Sequence, residues 1–301
     1  MRKKEALWFY LLVLPWLFGF VTLTLGPMIY SLFLSLTNWD LFTDPKFVGL
    51  DNYTKLFTKD DIFWKTVFNT LYYAFISVPL AMVFSLFIVY FLNRPIKGSA
   101  IYRTLYYIPA TVPAVASALL FKWLLAPDAG MINRFLALFG IDGPAWLLEP
   151  AWVKPALILM SLWTVGASIT LLMAGTKSIP SEFYEAAELD GASPSRQYFR
   201  ITLPLLTPII FFNLINGLII SLQIFTQIYI MTGSGGANMG GPNNASMMIV
   251  PYLFNNAFRF YKMGYASAIA WILFVLVMLL TVLVFRSSSA WVYYETEVKK
   301  S

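Results

Sequence analysis

The sequence predicts an all-α membrane protein with six spanning helices, and three observations lead to that class. Of 301 residues, 59% are hydrophobic and 12% charged, with a mean hydropathy of +0.69, whereas an ordinary soluble domain carries about 25% charge. Six apolar stretches reach the about 20 residues that a helix needs to cross the hydrocarbon; they lie at 8–36, 67–92, 104–125, 154–175, 204–231 and 263–285. The charges collect between these stretches. A single soluble core of this length cannot hide so much apolar surface, and a disordered chain would need low hydrophobicity and high charge.

The first stretch follows a basic start, Met1-Arg2-Lys3-Lys4, as a signal peptide would. Its apolar run far exceeds the ~7–15 residues of such a segment and no small-residue cleavage site follows, so a retained first span is expected. Six spans place both termini on one side. The segments 1–7, 93–103, 176–203 and 286–301 hold Arg2, Lys3, Lys4, Arg94, Lys97, Arg103, Lys177, Arg196, Arg200, Arg286, Lys299 and Lys300, which is 12 of the 21 basic residues. The remaining loops are longer in total, yet Arg134 and Arg259 are their only arginines. Cytoplasmic loops carry the basic excess, so an N-in, C-in orientation follows.

The chain contains no His and no Cys. That excludes His-based acid–base relays, Ser-His and Cys-His nucleophiles, thiolate metal sites, haem and iron–sulfur ligation, and disulfides. The net charge of +6 is the ordinary loop excess of a membrane protein, and no basic, aromatic-interleaved domain stands apart from the spans to bind nucleic acid. No charge lies deep in a span; Lys122, Lys154 and Lys262 fall near span ends, where they are expected to snorkel outward. Carriers that move protons or ions place acidic, basic or imidazole groups at depth. Their absence points to a neutral solute or to energy coupling located elsewhere.

The stretch from Thr176 to Leu203 is the most informative. Ser178 or Ser181 can cap a helix start, with Glu182, Glu185 and Glu188 adding negative charge near its positive end. Ala186, Ala187 and Leu189 support a short helix that Gly191 ends in a left-handed cap, and Ser193-Pro194 then starts a second helix through Phe199. Helix, glycine turn and helix should lie at the membrane surface. Periodicity alone is equally satisfied by a solvated amphipathic loop.

The order of residues goes further. Glu185-Ala186-Ala187, Asp190-Gly191-Ala192, Phe199, Ile201, Leu203-Pro204 and Pro208 closely resemble the EAA motif of membrane subunits of bacterial binding-protein-dependent ABC importers. Gly49-Leu50-Asp51-Asn52-Tyr53 with Leu56-Phe57, and Gly240-Gly241-Pro242-Asn243-Asn244, resemble the carbohydrate branch of that family, the maltose and sn-glycerol-3-phosphate type. The resemblance implies a six-helix type I importer permease fold in a bacterial inner (plasma) membrane. It implies that Glu185, Ala186 and Ala187 belong to a coupling helix, that Asp190 and Gly191 make its turn, and that Ala192 permits close packing on an ATPase. Glu185 would pair with a basic ATPase residue or with the dipole of its own helix. The implied partners are a homologous second permease, two ATP-binding subunits and an extracellular solute-binding protein, within the lipid bilayer. The polar tail from Glu295 to Lys300 suits the first of two paired permeases.

The Gly-rich run from Gly233 to Gly241 lacks the Gly-Lys-Ser/Thr ending of a phosphate-binding loop. No cofactor is therefore expected in this chain; ATP and Mg²⁺ would be bound by the partner ATPase. For the solute, Asn213, Asn216, Gln223 and Gln227 differ by 3, 7 and 4 positions and project within about 80° of one another on a continuous helix. Ser221 and Thr226 fall off that stripe. Amides suit sugar hydroxyls, and Trp163 or Tyr72 offers a ring for stacking; equally, Asn and Gln join membrane helices. The expected role is the permease subunit of an ATP-driven sugar importer with no covalent catalysis, the uncharged spans favouring a neutral sugar. The alternatives are a stand-alone carrier or channel, an importer of another solute, or an intramembrane enzyme, for which no clustered reactive side chains are seen.

Overall fold

The computed structural model describes residues 2–94, 98–233 and 239–293. In chain order its helices are α1 (Arg2–Phe20), α2 (Gly26–Ser35), α3 (Asp51–Thr58), α4 (Asp61–Leu92), α5 (Ser99–Thr111), α6 (Ala114–Leu124), α7 (Met131–Ala137), α8 (Pro150–Trp163) and α9 (Gly166–Ser178). They continue with α10 (Glu182–Leu189), α11 (Pro194–Gln197), α12 (Leu203–Leu205), α13 (Thr207–Leu222), α14 (Thr226–Met231), α15 (Ile249–Phe254) and α16 (Met263–Ser288). A two-stranded antiparallel ribbon, β1 (Thr37–Asn38) with β2 (Lys46–Phe47), lies between α2 and α3.

Three continuous helices are long and apolar enough to cross a bilayer: Leu7–Ser35, Asp61–Leu92 and Met263–Ser288. Three further spans arise if each bent pair counts as one: α5 with α6 at 100°, α8 with α9 at 44°, and Pro194–Leu205 with Thr207–Leu222 at 63°. The bends have local causes. Val112 precedes a proline and is extended (φ −74°, ψ 130°), because a proline ring excludes its predecessor from the helical region. At the start of α9, an added Cβ on Gly166 would lie 2.2 Å from the Tyr106 carbonyl oxygen, so only glycine lets α9 approach α5 so closely. Pro208 sits in the first turn of α13, where its missing N–H breaks no helical bond.

The chain divides into two compact units, residues 1–63 with 253–275, and 64–252 with 276–301. In the first, Asn52 is 6% exposed and donates from Nδ2 to the carbonyls of Ser35 (2.9 Å) and Thr37 (2.8 Å). Tyr53 shares a 2.7 Å hydrogen bond with Ser35. The Gly49-to-Tyr53 segment therefore clamps the chain as it leaves α2, with Gly49 supplying φ +59°. On the other side of the ribbon, a Cβ on Gly264 would meet the Thr37 carbonyl oxygen at 1.9 Å. From Leu7 to Phe33 no residue is buried.

In the second unit, one apolar cluster joins α4, α6, α8 and α14 through Tyr73, Phe121, Leu157 and Ile228. Another joins α4, α9 and α13 through Val89, Leu172 and Ile210. The sequence expectation of one helix over 204–231 is met only in pieces. α13 stops at Leu222, Gln223 takes φ −107° and ψ 16°, and Phe225 takes φ −135° and ψ −61°.

Candidate functional site

Two places in the second unit gather the singled-out residues. The first is the 176–203 stretch. α10 is one eight-residue helix carrying Glu185, Ala186 and Ala187. It ends in a Schellman motif: Gly191 N–H donates to Glu188 O (2.9 Å), Ala192 N–H to Ala187 O (2.9 Å), and Gly191 adopts φ +73°. A Cβ on Gly191 would meet nothing within 4 Å, so backbone conformation alone selects glycine here. Glu185, Ala186, Asp190 and Gly191 are exposed, while Ala187 and Ala192 are half-buried. Leu189 is 91% exposed at the tip, a feature that sequence reading assigned only to helix propensity; its place as the last helical residue before the glycine turn was the available signal.

Three local expectations change. α9 extends through Ser178, whose Oγ donates back to Gly175 O, and Ser181 makes no capping bond. Glu188 lies in the last turn of α10, because the helix is too short for a third acidic residue to remain near its positive end. The second helix starts at Pro194 as expected, capped by Ser193 Oγ accepting from Arg196 N–H at 3.4 Å, but runs on past Phe199 through a π-helical turn over Tyr198–Thr202 as far as Leu205.

The loop is tied to the membrane helices by tyrosines. Tyr198 is 8% exposed and donates its hydroxyl to Leu86 O at 2.9 Å on α4. Tyr90 of α4 shares a 2.7 Å bond with Ser195 and packs edge-on against Tyr198 at 4.9 Å. Thr176 donates to Asn93 Oδ1 at 3.1 Å, and Tyr184 and Thr202 hydroxyls meet at 2.9 Å. A polar cavity of about 720 Å³ lies between the loop and the C-terminal end of α4, bordered by Arg94, Lys177 and Glu188 among others.

The second place is a cavity of about 350 Å³ between α4, α8, α9 and α13, lined by Tyr73, Ser77, Ser161, Thr164, Ser168, Asn213, Gln223 and Gln227 together with apolar residues. Its volume falls in the range of small-molecule sites. Asn213 accepts from Ser168 Oγ at 3.1 Å and donates to Ile209 O at 3.1 Å. Gln223 donates to Ile219 O at 3.1 Å. Asn216 is exposed, donates to Phe212 O at 2.9 Å and lies outside the lining. Ser221 and Thr226, placed off the stripe by the helical wheel, line the cavity. For Thr226 the physical reason is the break after Leu222, past which the 100° phase no longer applies; Ser221 precedes the break and lines the cavity on the face of α13 that also carries Gly217. Broken backbone at membrane depth is tolerated where it borders a cavity inside the protein. Trp163 and Tyr72 pack instead against the α4–α8 core cluster.

The Gly240-to-Asn244 segment is structural. Thr232 donates to Met239 O at 3.1 Å, Ser246 donates to Thr232 Oγ1 at 3.0 Å, and Asn69 donates to the Asn244 and Met247 carbonyls. Of the Gly-rich run, residues 234–238 lie outside the described residues, as do Lys97 and the tail from Glu295 to Lys300.

Comparison with known proteins is consistent across sequence and fold. Residues 59–292 match the family described as binding-protein-dependent transport system inner membrane component. The chain is 43% identical over 297 residues, covering 98% of it and 94% of the relative, to the probable ABC transporter permease protein YesP of Bacillus subtilis (strain 168). It is 36% identical, over 80% of its length and 76% of the relative's, to the sulfoquinovosyl glycerol transport system permease protein SmoG of Agrobacterium fabrum (strain C58 / ATCC 33970). The fold matches that of a chain in the crystal structure of a bacterial ABC transporter involved in the import of the acidic polysaccharide alginate, with a TM-score of 0.82, 23% identity and coverage of 99% and 98%. With the helical architecture, the capped loop and the cavity in place, the chain belongs to the family of binding-protein-dependent transport system inner membrane components: it is a multi-pass membrane permease subunit of the ABC importer type, a transport component and not an enzyme.

Proposed function

We propose that the chain is one permease of an ATP-driven sugar importer in a bacterial inner membrane, oriented with both termini in the cytoplasm. It pairs with a homologous second permease, two ATPase subunits and an extracellular solute-binding protein. ATP and Mg²⁺ are handled by the ATPases. The observation carrying the coupling role is α10 itself: an eight-residue helix with a 91% exposed leucine at its tip, fixed by a glycine cap. Ala186, Ala187, Gly191 and Ala192 leave room for it to seat in an ATPase cleft, with Glu185 and Asp190 exposed at its rim. Closure of the ATPases displaces α10. Tyr198, Tyr90 and Thr176 carry the displacement into α4 and α9, whose residues Tyr73, Ser77 and Ser168 form cavity walls opposite Asn213, Gln223 and Gln227.

The sugar assignment is supported by the amide and hydroxyl lining, which both donates and accepts, and by the carbohydrate-derived solute named for SmoG. The test is uptake of a panel of labelled sugars by the complete importer reconstituted in vesicles, beside its ATPase rate. Replacing Gly191 with Pro should leave basal ATP hydrolysis and abolish uptake. Normal uptake by that variant would refute the coupling role, and uptake of amino acids or inorganic anions in place of any sugar would refute the substrate class.

A further inference from the structure

Residues 125–149 join α6 to α8 and form an internally bonded loop that carries α7. Asn133 is its centre: Nδ2 donates to the carbonyls of Pro127 and Pro144, both at 3.1 Å, and Oδ1 accepts from Trp146 Nε1 at 2.7 Å. The end of α7 is closed by Gly140 N–H donating to Ala137 O (3.0 Å) and Ile141 N–H donating to Leu136 O (3.1 Å). Ile132 and Trp146 pack against the apolar cluster that joins α4, α6, α8 and α14. One side of the loop is therefore fixed to the core.

The opposite side of α7 is apolar as well. Met131, Phe135, Leu138 and Phe139 project within about 100° of one another and are 57%, 60%, 80% and 67% exposed. The Phe135 and Phe139 rings meet edge-on at 5.2 Å, and Ile141, just past the turn, is also exposed. A helix lying on a core and facing water keeps its outer face polar, whereas Arg134 is the one charged residue of α7. Apolar side chains so grouped on an outer face mark a contact with protein or with membrane. Two observations favour the membrane. α6 and α8 belong to candidate spans, and α6 exposes Val115, Leu119 and Trp123 at four-residue spacing, so the apolar surface of the span continues along the chain into the loop. Trp123, Trp146 and Trp152 flank α7 on both sides, and tryptophan gathers where hydrocarbon meets water.

We infer that α7 is an interfacial anchor whose Met131, Phe135, Leu138 and Phe139 face is covered by lipid, at the boundary between headgroups and acyl chains. Interfacial helices bury such a face about 5–10 Å deep. The bonds to Asn133 hold the loop in one shape before insertion, so little ordering is left to oppose it. Arg134 can snorkel to the headgroups along its own stem. Between residues 125 and 149 it is the one basic residue against Asp128, Asp142 and Glu149; apolar burial, and not attraction to anionic lipid, drives the contact. Through Ile132 and Trp146 the anchor sets the depth at which this part of the α4–α6–α8–α14 cluster stands in the bilayer. The inference requires only that the chain spans a membrane; its assignment to the outer leaflet alone rests on the orientation proposed above.

The chain has no Cys, so single labels can be placed without background. F135C, L138C and F139C, with D128C as the polar reference in the same loop, each carry an environment-sensitive fluorophore in the complete importer complex in nanodiscs. The nanodiscs are made with or without lipids brominated near the headgroup. Bromine should quench the labels at 135, 138 and 139 about threefold more than the label at 128, and iodide in the buffer should give the reverse order. The quenching should be the same in zwitterionic lipid and in lipid that is about 30% anionic. All four sites are exposed, and thermal unfolding of each labelled complex reports that it is intact. Equal bromine quenching at all four positions would overturn the anchor. Labels shielded from both bromine and iodide would mean that the second permease covers the face, and labels shielded from iodide only after the solute-binding protein is added would assign it to docking that protein; either result would overturn the inference. A nanodisc presents both leaflets and no solute is added, so failure of the orientation or of the sugar reading leaves the readout unchanged.

Discussion

Leu189 offers a test that separates coupling from folding. Its side chain is 91% exposed in the chain, so replacing it with alanine removes three carbons that contact almost nothing. The stability of the permease itself should stay within about 0.5 kcal/mol of the parent, as for other exposed substitutions. If α10 seats in an ATPase cleft, those carbons become buried on docking, at about 0.8 kcal/mol each, for a loss of about 2 kcal/mol. That corresponds to about 30-fold weaker association of the ATPase subunit. The assay is fluorescence titration of labelled ATPase against the permease pair in nanodiscs, with thermal unfolding of the same preparations as the control. Leu189→Asp should weaken association further, because a carboxylate would be buried without a designated partner. ATPase affinity within twofold of the parent for both variants would refute the docking of this tip.

Further substitutions probe the loop, the cavity and the scaffold. Gly191→Ala should strain the left-handed cap by about 1 kcal/mol, lowering solute moved per ATP hydrolysed with little change in melting temperature, since no atom lies within 4 Å of the added methyl. Asn213→Leu and Gln223→Leu should each raise KM for uptake about tenfold through lost hydrogen bonds, whereas Asn216→Leu, outside the cavity lining, should leave KM unchanged. Gly166→Ala forces a methyl toward the Tyr106 carbonyl at 2.2 Å and should cost about 1–3 kcal/mol, read as reduced thermal stability of the purified chain. Asn52→Leu strips the Ser35 and Thr37 carbonyls of a buried donor and should also cost about 1–3 kcal/mol.

The class of fold was legible because it depends on bulk apolarity: no arrangement of these residues in water could bury the spans. The loop was legible for a different reason, since capping is local. Gly191 as a left-handed stop and Ser193-Pro194 as a start depend on a few adjacent residues, and both appear where the residue types require. The limits of local reading show in the same loop. Glu188 falls in the last turn of α10, three residues before the Gly191 stop, and Ser181, although it stands at the start of the helix, makes no capping bond.

In the cavity, the helical wheel grouped Asn213, Gln223 and Gln227 correctly and failed for Asn216, Ser221 and Thr226. For Thr226 the cause is that a wheel presumes one unbroken helix, and nothing in the residues 219–226 announces the interruption after Leu222 as loudly as Pro113 announces the one before α6. Asn216 and Ser221 precede the break, and α13 turns its Asn213–Gly217–Ser221 face to the cavity, which leaves Asn216 to one side. The break is maintained by packing: Leu222, Ile224 and Ile228 are all within 7% of complete burial. Asn52 and the Gly240-to-Asn244 segment show the reverse case. Their pattern stood out in the sequence, and the structure gives them hydrogen-bonding roles in holding the chain together.

By itself, then, the sequence determined the membrane-embedded all-α class, the absence of His and Cys chemistry, and the capped helix-turn-helix of the loop, each of which follows from composition or from contacts among near neighbours. Tertiary structure alone decided which polar groups share a cavity and which way Lys154 turns. Those outcomes depend on atoms far apart in the chain, such as Asn69 set against Lys154 and Asn244, and on a helix interruption whose cause is packing and not the residues that bend.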